Sequence, residues 1–174
     1  MGKREEVKFE KKPRDKYYTI DPSAARGFEW GEITFYEPCA GNGSLVRLLE
    51  SIGGTCVGAS DIAPEAKHIS KVDCLELTES DVDLSNVIVT NPPFTWVILK
   101  PIMDHLLSLK KPLLLLLPAD FMHNVRMGPY MKQCREVVSV GRMYWEPNKV
   151  KGVDNFCWYL FDKGHKGFTE FVGR

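Results

Sequence analysis

Several things that this chain of 174 residues lacks narrow its chemistry before any motif is read. It has no surplus of charge: Lys plus Arg is 23 and Asp plus Glu is 23, so the net charge points to no polyanionic partner. It has no run of membrane-spanning length. Leu113 to Leu117, closed by Pro118, is far too short to span and reads as a core strand. Its five cysteines (Cys39, Cys56, Cys74, Cys134, Cys157) include no CxxC pair, and no secretory signal is evident. They read as small buried hydrophobes in a reducing compartment, not as a disulfide frame or a zinc site, and the expected location is cytoplasmic. His68, His105, His123 and His165 show no ligand spacing, so no metal is expected. Repeats, long linkers and low-complexity tracts are missing too. What remains, at 44% hydrophobic and 26% charged, is one ordinary soluble domain with enough chain for a core.

Residues 1–16 carry Lys3, Arg4, Lys8, Lys11, Lys12, Arg14 and Lys16 against Glu5, Glu6, Glu10 and Asp15, and read as a flexible basic arm ahead of a domain over 17–174. Asp21-Pro22-Ser23 carries an N-cap and an early proline, which predicts a short helix to about Trp30. From there strand and helix alternate. Strands are predicted at 33–37, 56–60, 68–72, 86–90 and between Pro112 and Pro118. Helices are predicted from Ser44 to Gly53, over 96–109 and over 130–134. Two final strands, 137–143 and 156–162, have no helix between them and should pair antiparallel at one edge. The expected fold is α/β: a doubly wound, mostly parallel seven-stranded sheet covered on both faces, with an antiparallel edge strand.

Asn91-Pro92-Pro93-Phe94 follows the apolar run Val87-Ile88-Val89-Thr90. The prolines fix φ, offer no backbone N–H and hold Asn91 extended. The loop thus presents carbonyls, the Asn91 carboxamide and an aromatic face at one point, which suits a planar ring bearing an amino group. A proline-stiffened strand exit is the alternative. Upstream, Glu37-Pro38-Cys39-Ala40-Gly41-Asn42-Gly43-Ser44 joins the first strand to its helix. Gly41 and Gly43 allow close backbone approach, and Glu37 would repel a pyrophosphate but accept from an ammonium group. Asp61, with Ile62 beside it, follows the second strand, where an acid can accept from ribose hydroxyls. Asp73, beside Cys74, follows the third and can accept from an adenine amine. Singly, each acid reads as a surface or capping residue. Together, an amino acid, a ribose and an adenine describe S-adenosylmethionine.

With these motifs in this order, the chain resembles the class I S-adenosylmethionine-dependent DNA adenine-N6 methyltransferases, in the motif order of their gamma subgroup. The resemblance implies an adenine amine in DNA as acceptor, Asn91, Pro92, Pro93 and Phe94 as the catalytic loop, and Tyr17-Tyr18-Thr19 with Pro22 as a cofactor-flanking motif. It also implies that Leu117 to Phe121 walls the base pocket and that aromatics within Asn155 to Leu160 line it. Trp158, Tyr159 or Trp145 can form the wall opposite Phe94, although core packing is the favoured reading of these late aromatics. Lys149 and Lys151 can contact phosphate, or belong to an ordinary solvated turn. Family members carry a separate target-recognition region, commonly C-terminal, and here only Lys163 to Arg174 follows the last predicted strand. That departure resembles small phage-encoded methyltransferases, which places the chain in a bacterial or phage-infected cytoplasm. Methylation of an RNA base amine or a protein glutamine amide, and a non-catalytic cofactor-binding subunit, remain open alternatives.

Overall fold

Alternation of apolar side chains across two faces governs the architecture of the computed structural model, which describes residues 17–146 and 151–173. Nine strands join one sheet among those residues: β1 Tyr18–Thr19, β2 Thr34–Glu37, β3 Thr55–Asp61, β4 Ser70–Lys71, β5 Val87–Thr90, β6 Leu113–Pro118, β7 Cys134–Glu146, β8 Lys151–Phe161 and β9 Glu170–Val172. Three α-helices accompany them: α1 Ser44–Glu50, α2 Trp96–Ser108 and α3 Gly128–Met131. The spatial order is β1-β7-β8-β6-β5-β2-β3-β4, with β9 also on β7. Strands β4, β3, β2, β5 and β6 pair in parallel. Strand β8 runs antiparallel to both β6 and β7, and β1 antiparallel to β7. The chain winds one way from β2 through β3 to β4 and the other way through β5 to β6. The carboxyl ends of β2 and β5 therefore flank the switch point where such sheets hold ligands.

Both faces are buried. In β6, Leu113, Leu115 and Leu117 join α2 in one core, while Leu114 and Leu116 face α1 and the N-terminal turns in the other. Strand β8 divides likewise: Cys157, Tyr159 and Phe161 on the first side, Phe156 and Trp158 on the second. A parallel strand covered on both faces needs a continuous apolar run, which is what five successive leucines supply.

Several elements depart from expectation. The predicted helix after Asp21 is a single 3₁₀ turn, Pro22–Ala25. Arg26 leaves it extended, and Gly27, at φ 91°, lies so close to Val138 that a Cβ there would stand 2.3 Å from Cγ1. Ser44 is the first residue of α1, not its cap: Gly43 caps at φ 76°, and Asn42 Oδ1 accepts from Ser44 N (3.0 Å) and Oγ (2.6 Å). The short helix α3 starts two residues before its predicted position, and Cys134 already belongs to β7. Helical cover is thinner than predicted, since between β3 and β5 the chain has, besides β4 and turns, only the 3₁₀ segment Cys74–Glu76. Strands β1 and β9, at two and three residues, are too short for periodicity to reveal. The predicted basic arm, residues 1–16, lies outside the described residues.

Candidate active site

A cavity of about 690 Å³ opens at the carboxyl ends of β2, β3 and β5. Its floor is the turn after β2. Gly41 has φ 54°, and a Cβ there would lie 2.6 Å from Tyr18 Cε1, so β1 can cross this turn only because the residue is glycine. Asp61 fastens the turn to the end of β3: Oδ2 accepts from Gly41 N (2.8 Å) and Oδ1 from Ala63 N (2.7 Å). Each carboxylate oxygen keeps a further lone pair for a ligand hydroxyl. Asp73 lines the far wall. Its Oδ1 caps the next turn by accepting from Leu75 N (3.0 Å), and Cys74 and Leu75 stand beside it. The remaining walls are apolar: Ile62, Pro38 and Cys39 on one side, and Ile98, Pro101 and Ile102 of α2 on the other.

Glu37, the last residue of β2, is 2% exposed and lies behind this surface. Its Oε2 has no partner. Burial, reinforced by the Asp61 charge and opposed by the Val46 backbone N–H, pushes its carboxyl up to about 8. Glu37 is therefore largely neutral at physiological pH. Ala40 and Gly43 are likewise buried and support the turn from behind.

Asn91 leaves β5 at the mouth of the cavity. Its Nδ2 donates to the Tyr17 carbonyl and to Thr19 Oγ1, both at 3.1 Å. These contacts spend both amide protons and fix which way the carboxamide faces. Oδ1 is left buried without a partner, in a residue that lines the cavity. An acceptor so placed costs stability unless a donor arrives, about 1–3 kcal/mol. Pro93 lines the cavity, Pro92 is buried beneath it, and Thr95 caps α2. Phe94 is half-buried and tilts against Phe156, ring centroids 5.6 Å apart. Phe156 meets Trp145 edge-on at 4.8 Å, and Trp145 meets Tyr17 at 6.4 Å. An aromatic ladder thus connects the Asn91 loop to β1.

The structure gathers Tyr18, Pro38, Cys39, Gly41, Asp61, Ile62, Asp73, Cys74, Asn91 and Pro93 around one cavity, although they come from five separate stretches of chain. Thr19 touches it only through Asn91. Trp158 does not belong there. It is 0% exposed, and its indole donates to the Ala24 carbonyl at 2.7 Å, so it packs the core and cannot wall a base. Tyr159 is equally buried, with its hydroxyl on the Pro118 and Ala119 carbonyls. Lys149 lies outside the described residues, and Lys151 opens β8 in a separate depression. Sequence reasoning missed Ala63, Ile98, Pro101 and Ile102. The last three recur at helical spacing on α2, and that spacing marks a helix without saying which face meets a cavity. Among the described residues no three His, Cys, Asp or Glu side chains gather as metal ligands would, and no helix is long and apolar enough to cross a membrane.

No protein-family model matches this chain, and no curated protein matches it. Solved structures do. The fold is similar to that of a type I restriction-modification methyltransferase subunit from Streptococcus thermophilus, with 13% identity and a TM-score of 0.54 over 90% of this chain and 47% of that one. It is similar to a Pyrococcus horikoshii protein provisionally assigned as an RNA methyltransferase, with 14% identity and a TM-score of 0.55 over 75% of this chain and 74% of that one. It is also similar to the type IIG restriction endonuclease BpuSI, with 14% identity and a TM-score of 0.52 over 84% of this chain and 24% of that one. The chain spans about half the length of the first of these and about a quarter of the last. At such identities the likeness establishes the fold alone, a Rossmann-like α/β architecture with a mostly parallel sheet and antiparallel strands at one side.

Proposed function

We propose that this chain transfers a methyl group from S-adenosylmethionine to the N6 amine of adenine in DNA. The observation that carries the reading is the Asn91 carboxamide: its nitrogen is tied to Tyr17 and Thr19, and its oxygen is buried and unpartnered in a residue that lines the cavity. The cavity suits the cofactor. Its volume of about 690 Å³ falls within the range typical of cofactor pockets, roughly 300–1,000 Å³. Asp61 supplies lone pairs for a ribose diol, Asp73 for an amino group, and Ile62, Leu75 and Ile102 an apolar bed for a purine. Gly41 leaves the backbone open where a side chain would collide with Tyr18.

When bound, the cofactor supplies an electrophilic methyl on its sulfonium. The protein's task is to make a poor nucleophile better and hold it still. An aromatic amine shares its lone pair with the ring. Asn91 Oδ1 and the Pro92 carbonyl accept its two N–H groups and draw the nitrogen toward a tetrahedral shape with its lone pair exposed. No strong base is needed before transfer, because the ammonium that forms sheds its proton afterwards. Orientation of this kind is worth up to about 7–11 kcal/mol in favourable systems. Phe94, held by Phe156, offers a face for the flipped base, and base–aromatic stacking of about 1–3 kcal/mol offsets much of the unstacking cost.

The test offers labelled cofactor with DNA, RNA and protein separately, then digests the labelled product to nucleosides. Label in DNA, recovered as N6-methylated deoxyadenosine, is expected. Label in RNA or protein instead moves the substrate to that class. Asn91→Ala is expected to lose transfer by at least about a hundredfold while cofactor affinity in calorimetry changes little. Transfer near the parent rate removes Asn91 from its role.

A further inference from the structure

A second cavity, of about 400 Å³, opens between the Pro22–Ala25 turn and the β7–β8 hairpin. Arg26, Arg142 and Lys151 line it, all three exposed, together with Ser23 and Tyr144. The one acid present, Asp21, is already committed. Its Oδ1 accepts from Ser23 N (2.9 Å) and Oγ (2.7 Å), and its Oδ2 from Tyr144 N (2.8 Å), which ties the turn to β7. Burial pushes its carboxyl up, but these hydrogen bonds and the nearby Lys151 charge outweigh that, so it stays ionised. Three cations against one carboxylate leave two positive charges uncompensated, in a chain whose overall net charge is zero. Among the described residues no ion pair joins Arg26, Arg142 or Lys151 to a carboxylate. Lys151 instead rests 5.5 Å from the ring centroid of Tyr144, its cross-strand partner. Converging like charges cost stability, so a surplus built on paired strands and a pinned turn calls for an anion.

The position says which anion. Asp21 lies two residues beyond Thr19, whose hydroxyl anchors Asn91, and extended chain covers at most about 7 Å in that interval. The basic depression is therefore a near neighbour of the catalytic loop. Its cations are exposed at the molecular surface, which suits a phosphate carried on a polymer better than a small anion that needs enclosing.

We propose that Arg26, Arg142 and Lys151 clamp a backbone phosphate of the nucleic acid strand that flanks the base presented to Asn91. This rests on the nucleic-acid reading of the main site, and it adds the face along which the strand enters. Phosphate contacts of this kind position the substrate without reading its sequence.

The experiment measures binding of a fluorescent DNA duplex by anisotropy across a salt series, without cofactor. The parent chain is compared with the triple variant R26Q/R142Q/K151Q and with Lys110→Gln, a cation at the opposite end of β6. Loss of the one clamped phosphate is expected to lower the slope of log affinity against log salt by about 1, since each neutralised phosphate contributes about 0.9 on duplex DNA. Affinity at low salt should fall at least tenfold, while Lys110→Gln binds as the parent does. Unaltered melting temperature and cofactor affinity in the triple variant show that the fold and the main cavity are intact. A triple variant that keeps the parent's slope and affinity overturns the clamp, as does an equal loss in Lys110→Gln. Because no methyl transfer is read, failure of the catalytic proposal leaves this result standing, and the reverse holds too.

Discussion

Replacing Glu37 with glutamine should change how the stability of the protein responds to pH, by an amount that the structure specifies. The carboxyl is 2% exposed with one oxygen unpartnered, and burial, helped by Asp61, lifts it from an ordinary 4.5 to about 8. At 1.36 kcal/mol per pH unit, that difference corresponds to about 5 kcal/mol. The sign follows from proton counts. Between pH 4.5 and 8 the folded chain holds this proton and the unfolded chain has released it, so raising the pH favours unfolding. The Glu37 contribution is fully present below about pH 4.5, declines through the interval, and levels off above about pH 8. The glutamine variant has no proton to lose at this position. From pH 6 to pH 8 it should therefore gain on the parent by about 2.3 kcal/mol, or roughly 5–9 °C in melting temperature for a chain of this size. Urea titrations and thermal melts of both proteins at pH 6, 7 and 8 measure the difference directly. Other titrating groups act alike in both and cancel. Parallel profiles for the two proteins would refute the argument and mean that water or a counter-charge reaches Glu37.

Two further substitutions separate the cavity from the core. Gly41→Ala forces a side chain into a backbone at φ 54° and against the Tyr18 ring, so it should cost about 1–3 kcal/mol and weaken cofactor binding at least tenfold. Calorimetry that finds parent-like affinity would show that Tyr18 yields freely. Trp158→Phe removes the indole donor from the Ala24 carbonyl and should cost about 1–3 kcal/mol by denaturant titration, with DNA affinity unaltered. A selective loss of DNA binding in a stable variant would return Trp158 to the base pocket.

Legibility in the sequence tracks the range over which each constraint acts. The strand cores of β2, β3, β5 and β6 were readable because apolar content and bounding prolines or glycines act within a few residues. The turn at Gly41 and the loop at Asn91 were readable for the same reason, since φ and donor count belong to the residue itself. Trp158 and Phe156 are two residues apart on one face of one strand, and nothing local says which meets the Asn91 loop. The register of β8 against β6 and the course of the N-terminal turn decide it: Ala24 receives the indole of Trp158, and Phe94 receives the ring of Phe156.

Composition and local stereochemistry determined that this chain would build a mostly parallel sheet and present a proline-stiffened carboxamide at a strand end. Those outcomes depend on dihedral limits and on burial, which each residue carries with it wherever it lies. Only the tertiary structure decided how the carboxamide is turned, because Tyr17 and Thr19 hold its nitrogen from more than seventy residues away. It also decided that Arg26, Arg142 and Lys151 meet, since that requires the turn after β1 to be pinned on β7 by Asp21. Contacts of such separation exist only after chain closure, and no local pattern encodes them.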